Sequence, residues 1–373
     1  MKILHVISGL NNGGAEGVLY RLCKHDNRCQ HIIISMMDEG KYGPLLKDIG
    51  IEVHCLNMQQ GRLSISGLWR LFKLISNNKP DVVQTWMCHA DLMGGLVARF
   101  AGVKHVFWNV RHTILETDKS KRSTIRVIKV CAFISGWVPR KIVYCAHKAK
   151  AVHEAMGYKK GKAEIIANGF DFTQLSIDSL ARATFRSELG LNDDVSLIGM
   201  VGHYHPMKDH VNLIKALCLV KKENYNFKLV LIGRDLNTKN QTLLNLIRDN
   251  RLTENVILLG NRNDIPTVMN GLDLHILSSS SEAFPNVVAE AMACGTPCVV
   301  TDVGDAALIV GESGCIVPPK EPQSLANSIM QALQEKQINQ QAWLLRKEAC
   351  RNRIVDNFSM EKMIEGYRRV WFN

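Results

Sequence analysis

Two glutamates, Glu282 and Glu290, lie eight positions apart in Ser281-Glu282-Ala283-Phe284-Pro285-Asn286-Val287-Val288-Ala289-Glu290. The apolar run 272–277 predicts a strand before them, and 278–281 predicts a loop. Residues 286–294 carry helical apolar spacing, with Pro285 in the first turn. Glu282 then falls on the loop rim and Glu290 inside the helix. Backbone N–H groups at the helix start form an anion site between them. Two carboxylates that accept hydroxyls, on either side of a phosphate-binding helix end, suit a nucleotide-sugar. An acidic pair at this spacing also arises by chance. The strand before it and the Gly295-Thr296-Pro297 turn after it favour function.

Three further loops follow apolar runs. The first, Ser8-Gly9-Leu10-Asn11-Asn12-Gly13-Gly14-Ala15-Glu16, leads into a helix, and its glycines let backbone approach a phosphate. Its spacing is not G-x-G-x-x-G, which argues against a dinucleotide oxidoreductase. The second, Asn109-Val110-Arg111-His112-Thr113, puts a histidine just past a buried strand. His112 could act as a base toward an acceptor hydroxyl or bind an anionic group; equally, an isolated histidine can be structural. His89 is its rival at the neighbouring strand end. The third, Val201-Gly202-His203-Tyr204-His205-Pro206-Met207-Lys208, offers Lys208 to neutralise a diphosphate leaving group. A lysine at a helix start gains nothing from the dipole, so a merely structural Lys208 is the weaker reading. The histidines lack a carboxylate or thiol to complete a metal-ligand set, and no metal is expected.

These loops need a scaffold. At 373 residues two domains are expected. Strands are predicted near 2–8, 30–36, 51–55, 81–85, 104–110, 141–145 and 163–167, with helical patterns such as 65–77 and 91–100 between them. A second series follows near 195–202, 227–233, 255–259, 272–277, 297–301 and 314–317. Repeated βα units imply parallel sheets covered on both faces. Two such doubly wound domains bind ligands beyond the strand carboxyl ends, in a cleft where they face each other. Composition sets the boundaries at 1–186, 187–357 and 358–373, the last being a helix capped by Ser359.

Charge is uneven. Residues 1–186 hold 27 Lys and Arg against 14 Asp and Glu; the remainder holds 19 against 21. Residues 119–162 carry 12 basic residues and one acid, Glu154, interleaved with apolar ones. That stretch suits an anionic membrane surface or a solvated helix face; no nucleic-acid module accompanies it. The 11 cysteines are scattered with no C-x-x-C pair, as in a reduced compartment. No signal peptide or membrane span is expected. The chain is expected in the cytoplasm, peripheral on the inner face of the plasma membrane.

The motifs Val201-Gly202-x5-Lys208, Glu282-x7-Glu290, Gly14-Ala15-Glu16 and Arg111-His112 resemble the family 4 retaining glycosyltransferases of the two-domain GT-B type. Glu290-Ala291-Met292-Ala293-Cys294-Gly295-Thr296-Pro297 and Thr301-Asp302-Val303-Gly304-Asp305 extend the resemblance, which covers the whole chain and is nearest to bacterial surface-glycan enzymes. It implies that Glu290 binds ribose and that Glu282, with the backbone of Ala283, Phe284, Pro285, Asn286 and Val287, holds the sugar. Lys208 and Gly14 would meet the diphosphate and Arg262 the nucleobase. His112 would be the active-site histidine, with His89, Arg111 and Thr113 toward the acceptor. The implied partners are a nucleotide-sugar donor, most simply a UDP-sugar, and a lipid-linked glycan acceptor. The implied reaction retains anomeric configuration, uses neither cofactor nor metal, and has a final helix packing on the first domain. One position departs from the pattern: His203 stands where an arginine usually follows Val201-Gly202, and His205 or Arg234 could substitute. A non-catalytic sugar-nucleotide- or glycan-binding homologue, and a GT-B-like epimerase or phosphorylase, are the alternatives.

Overall fold

The computed structural model describes residues 1–59, 64–113 and 122–372. The first sheet has seven strands: β1 (Lys2–Ile7), β2 (Gln30–Ser35), β3 (Glu52–Cys55), β4 (Val82–Trp86), β5 (His105–Val110), β6 (Lys141–Tyr144) and β7 (Ala163–Ile165). The second has six: β8 (Ser196–Val201), β9 (Phe227–Ile232), β10 (Val256–Gly260), β11 (Leu274–Leu277), β12 (Cys298–Thr301) and β13 (Cys315–Val317). All pairings are parallel. The inner strands are apolar runs buried on both faces, the edge strands β3, β7, β10 and β13 are partly exposed, and the intervening helices cover the sheets.

The spatial orders are β3-β2-β1-β4-β5-β6-β7 and β10-β9-β8-β11-β12-β13. In each sheet the chain winds outward from a central strand, then returns to that strand's other side. This reversal, between β1 and β4 and again between β8 and β11, leaves a crevice beyond the strand ends where doubly wound sheets take ligands. The four loops singled out in the sequence follow β1, β5, β8 and β11, and His89 follows β4.

The compact units are Met1–Gly169 with Met360–Asn373, and Phe170–Ser359. The division falls in the Asn168–Asp171 turn rather than at 186/187. The reason is the helix Ser179–Glu188, which belongs to the second unit: it packs on the helix Ile265–Gly271, and its Arg182 and Arg186 reach Asp273 at 2.8 and 3.2 Å. Lys336 and the Leu197 N–H also reach Asp273, each at 2.8 Å. Burial alone would raise the Asp273 pKa, yet Lys336, Arg182 and the Leu197 N–H together hold it below the usual carboxylate range. Its stabilising contribution is therefore present above the unfolded carboxylate pKa, near 4, and lost as pH falls through the folded value. Asp273→Asn strands three cations and should cost about 3–5 kcal/mol of stability at pH 7, read from denaturant unfolding. At acid pH the gap between variant and wild type should narrow.

The final helix, Met360–Phe372, joins the first unit through a buried polar chain. Trp86 Nε1–H donates to His5 Nδ1 at 3.1 Å, so His5 Nε2 carries the proton toward His31 Nδ1 at 2.9 Å. His31 Nε2 lies 3.3 Å from Asp26, whose other oxygen takes the Arg368 guanidinium. Asn109 donates to the Tyr367 hydroxyl at 2.7 Å, and Trp371 donates to Gln84 at 3.0 Å. Arg368 is thus the ion-pair partner of Asp26.

Candidate functional site

In the second unit the β8 and β11 loops are sewn together. Ser278 Oγ donates to the Lys208 carbonyl at 2.9 Å, and Ser280 N–H donates to the Met207 carbonyl at 2.7 Å. Lys208 ends a single 3₁₀ turn, Pro206–Lys208, and Asp209 then opens the next helix in a left-handed conformation. The Lys208 ammonium lies 2.6 Å from Glu282 Oε1, and Ser279 Oγ donates to the same oxygen at 2.7 Å. These groups come from loops 74 positions apart in sequence, brought together because β8 and β11 flank the reversal.

The glutamate loop is anchored from beneath. Thr301 Oγ1 donates to the Ser279 carbonyl at 2.6 Å, and Asp305 N–H donates to the Ala283 carbonyl at 2.9 Å. Gly304 adopts φ +56°, and a Cβ there would sit 2.3 Å from the Ala283 oxygen, which explains the glycine in that motif. Phe284 turns inward, its ring 5.6 Å from Phe358 and 6.4 Å from Phe170, so only backbone is offered at that position. Pro285 caps the helix Asn286–Ala293, and Glu290, partly buried, lies in its second turn.

His203 and His205 share the β8 loop with Lys208, their ring centroids 5.3 Å apart. The loop is pinned to the end of β9 through the Tyr204 N–H to Arg234 carbonyl bond at 2.8 Å. Burial, with Lys208 and Arg234, lowers the pKa of both histidines; His205 lowers that of His203 further, and Glu282 opposes the shift. Both imidazoles are thus neutral at pH 7. Arg262 holds Glu188 at 2.5 and 3.0 Å and Asp264 at 2.9 and 2.7 Å, and stacks 5.3 Å over Phe185.

In the first unit, Gly13 and Gly14 open the helix Gly14–His25. A Cβ on Gly13 would lie 2.3 Å from the Glu16 carboxylate, so the glycine lets Glu16 fold back over the helix start. Burial raises the Glu16 pKa, opposed by its own backbone N–H and by Arg111. Arg111 donates to Asn168 at 2.5 Å and lies 5.5 Å over the Trp86 ring. His89 stands in the first turn of the helix Cys88–Phe100, after Met87 at φ +73°, a conformation that strains any residue but glycine.

His112 has neighbours the sequence reading missed. Its ring meets His153 edge-on at 5.1 Å, and His153 Nδ1–H donates to the Ala149 carbonyl at 2.9 Å. His153 comes from the helix His147–Ala155 inside the basic stretch, where nothing distinguished it from a surface residue. Burial, with His153 and His89, pushes the His112 imidazole down to about 3. It is therefore uncharged at physiological pH and a poor anion ligand or strong base; it suits hydrogen bonding to a hydroxyl. Its Nε2 has no hydrogen-bond partner among the described residues. Thr113 beside it is buried. Asp91, also missed, accepts from the Thr85 hydroxyl at 2.6 Å, and burial raises it to about 8.

Residues 12–174 match Glycosyltransferase Family 4, and residues 181–347 match Glycosyl transferases group 1. The chain belongs to glycosyltransferase family 4. This family 4 glycosyltransferase is 25% identical over 315 residues to the Escherichia coli UDP-Gal:alpha-D-GlcNAc-diphosphoundecaprenol alpha-1,3-galactosyltransferase, covering 83% of this chain and 79% of that one. It is also 25% identical to the Staphylococcus aureus capsular polysaccharide biosynthesis glycosyltransferase CapM, over 99% of this chain and 96% of that one. Its fold is of GT-B type. The crystal structure of Anabaena HepE in complex with UDP and glucose superposes with a TM-score of 0.86 at 21% identity, each chain covered in full.

Proposed function

We propose that this glycosyltransferase moves a sugar from a UDP-sugar to a lipid-linked glycan acceptor in surface-polysaccharide synthesis, with anomeric configuration retained and no divalent metal required. The observation that carries the reading is the Lys208–Glu282 pair in the crevice where the second sheet reverses. A donor diphosphate would take Lys208, releasing Glu282 to accept sugar hydroxyls, while Glu290 would hold the ribose. Gly14, through its helix start, would add a second diphosphate contact. Arg262, held by two carboxylates, would border the nucleobase. The names of the relatives and of the UDP-bound structural neighbour support this donor and acceptor class.

In the reaction an acceptor oxygen attacks the anomeric carbon as the bond to the leaving phosphate breaks. The acceptor proton passes to a phosphate oxygen. His112, uncharged, would orient the acceptor hydroxyl, with His89, Arg111 and Thr113 framing that side. The test is transfer from UDP-sugars to a synthetic polyprenyl-diphosphate sugar. The product's anomeric configuration, read by NMR, should match the donor's, and EDTA should leave the rate unchanged. Inverted product, or loss of activity in EDTA, contradicts the corresponding part.

His203 in the arginine position favours a second reading, a homologue that binds donor without transferring it. Binding with no turnover across a broad acceptor set would select that reading.

The histidines also give a pH dependence. A diphosphate arriving beside His203 and His205 raises their lowered pKa values, so binding takes up protons and donor affinity rises as pH falls from 8 to 5. Calorimetry across that range should show tighter binding at low pH. His203→Arg should bind more tightly and flatten the profile. An unchanged slope would exclude His203 as the titrating group.

A further inference from the structure

Behind His112 a row of rings runs into the interior of the first unit. Trp108 lies on β5, shortly before His112, and is fully buried. The Tyr158 ring meets the Trp108 ring edge-on at 6.3 Å, with 68° between the planes. His153 meets Tyr158 at 5.0 Å and 85°, and His112 meets His153 at 5.1 Å and 84°. Every contact in the row therefore sets the positive edge of one ring against the negative face of the next. The row begins at Trp108 within β5 and returns to His112 just past its end, so it ties the loop histidine to its own buried strand.

His153 is the member that packing alone does not explain. Its side chain is fully buried, and its Nδ1–H donates to the Ala149 carbonyl of its own helix at 2.9 Å. That bond fixes the rotation of the ring and its tautomer, so Nε2 is a bare acceptor. No described residue donates to it. A buried acceptor without a donor is a loss that an apolar side chain at this position would not incur. The Tyr144 ring, 6.0 Å away, and the Tyr158 N–H bond to the His153 carbonyl at 3.1 Å also hold the residue. His112, by contrast, keeps part of its surface exposed.

We propose that His153 is a positioning residue: it holds the His112 ring in the one orientation that presents its nitrogen to the acceptor hydroxyl, and Tyr158 and Trp108 hold His153 in turn. This role rests on the reading that His112 orients the acceptor. His153, fully buried, acts only through His112. A His112 ring free to turn about its side-chain bonds would be misdirected much of the time, and small misplacements of such a group cost large factors in turnover.

The test uses His153→Leu, which fills the volume without a ring edge, and His153→Phe, which keeps the ring. His153→Leu removes the undonated nitrogen and should melt at or above the wild-type temperature. It should nevertheless lower kcat by about tenfold or more, with donor affinity and acceptor KM unchanged. His153→Phe should recover most of that turnover. In a His112→Ala background, His153→Leu should have no further effect, because the group it positions is gone. A second readout is free of catalysis. In the full chain carrying isotope-labelled histidine, the His112 ring signal is assigned by its absence in His112→Gln. It should relax as a rigid group in the wild type and in His153→Phe, and as a mobile one in His153→Leu. A rigid His112 ring in His153→Leu, wild-type kcat in that variant, or an equal loss in the His112→Ala background would overturn the proposal. So would a lower melting temperature with unchanged turnover per folded molecule, the mark of a purely structural histidine. Full turnover in His112→Ala would instead sink the reading of His112 beneath it, a result told apart by relaxation data that stay as expected.

Discussion

Lys208→Ala lowers kcat/KM by about 10²–10³, the usual scale for removing one preorganised group that stabilises charge developing on a leaving phosphate. The fall is expected in kcat as well as KM, because the leaving diphosphate gains charge in the transition state. Lys208→Arg should recover donor binding but only part of the turnover, since a planar fork does not reproduce a compact ammonium. Folding should be little affected: the loop is held by Ser278, Ser280 and Thr301 through backbone carbonyls, and Ser279 still donates to Glu282. Steady-state kinetics with a melting curve checks this. Wild-type turnover in Lys208→Ala would remove the pair from the mechanism.

His112→Ala lowers turnover by about 10²–10³ with donor affinity nearly unchanged, because His112 belongs to the first unit while the proposed donor groups, Gly14 apart, lie in the second. The form of the pH–rate profile separates roles. Burial beside His153 and His89 holds His112 near 3, so its titration produces no limb between pH 5 and 8. His112→Gln, which keeps a hydrogen-bonding group but cannot serve as a base, should retain part of the turnover lost in His112→Ala. If instead the wild type shows an acid limb near 6 that His112→Gln abolishes, His112 is a general base and the uncharged role is wrong.

How much of this was legible in the sequence follows from the range of each signal. The thirteen strands fall on, or within a residue of, the runs that the apolar pattern marks; for the inner strands the reason is that burial on both faces needs unbroken apolar residues. The glutamate loop was legible for the same local reason, an apolar strand followed by polar residues and a helix start. The Lys208–Glu282 pair was not, since it depends on strand order, and order is set by crossover packing across 74 residues. Composition drew the boundary at 186, whereas Arg182 and Arg186 commit their helix to Asp273, an acid that local pattern cannot connect to them. Arg262 is a similar case: the family resemblance implies a base contact, and its four bonds to Glu188 and Asp264 become visible only in three dimensions. His153 left no signal, since a histidine in a basic helix reads as solvated. Lys119 and Lys121, at the start of the basic stretch, lie outside the described residues.

The central claim is that the second unit holds a nucleoside-diphosphate sugar in the crevice between β8 and β11. The most direct test is calorimetry with a panel of nucleotide-sugars and free nucleoside diphosphates, with and without magnesium, on the wild type and on Glu290→Ala and Lys208→Ala. The account predicts binding of a UDP-sugar that is indifferent to magnesium and lost or strongly weakened in both variants. No binding by any nucleotide to the folded protein, or binding that both variants retain, would contradict it.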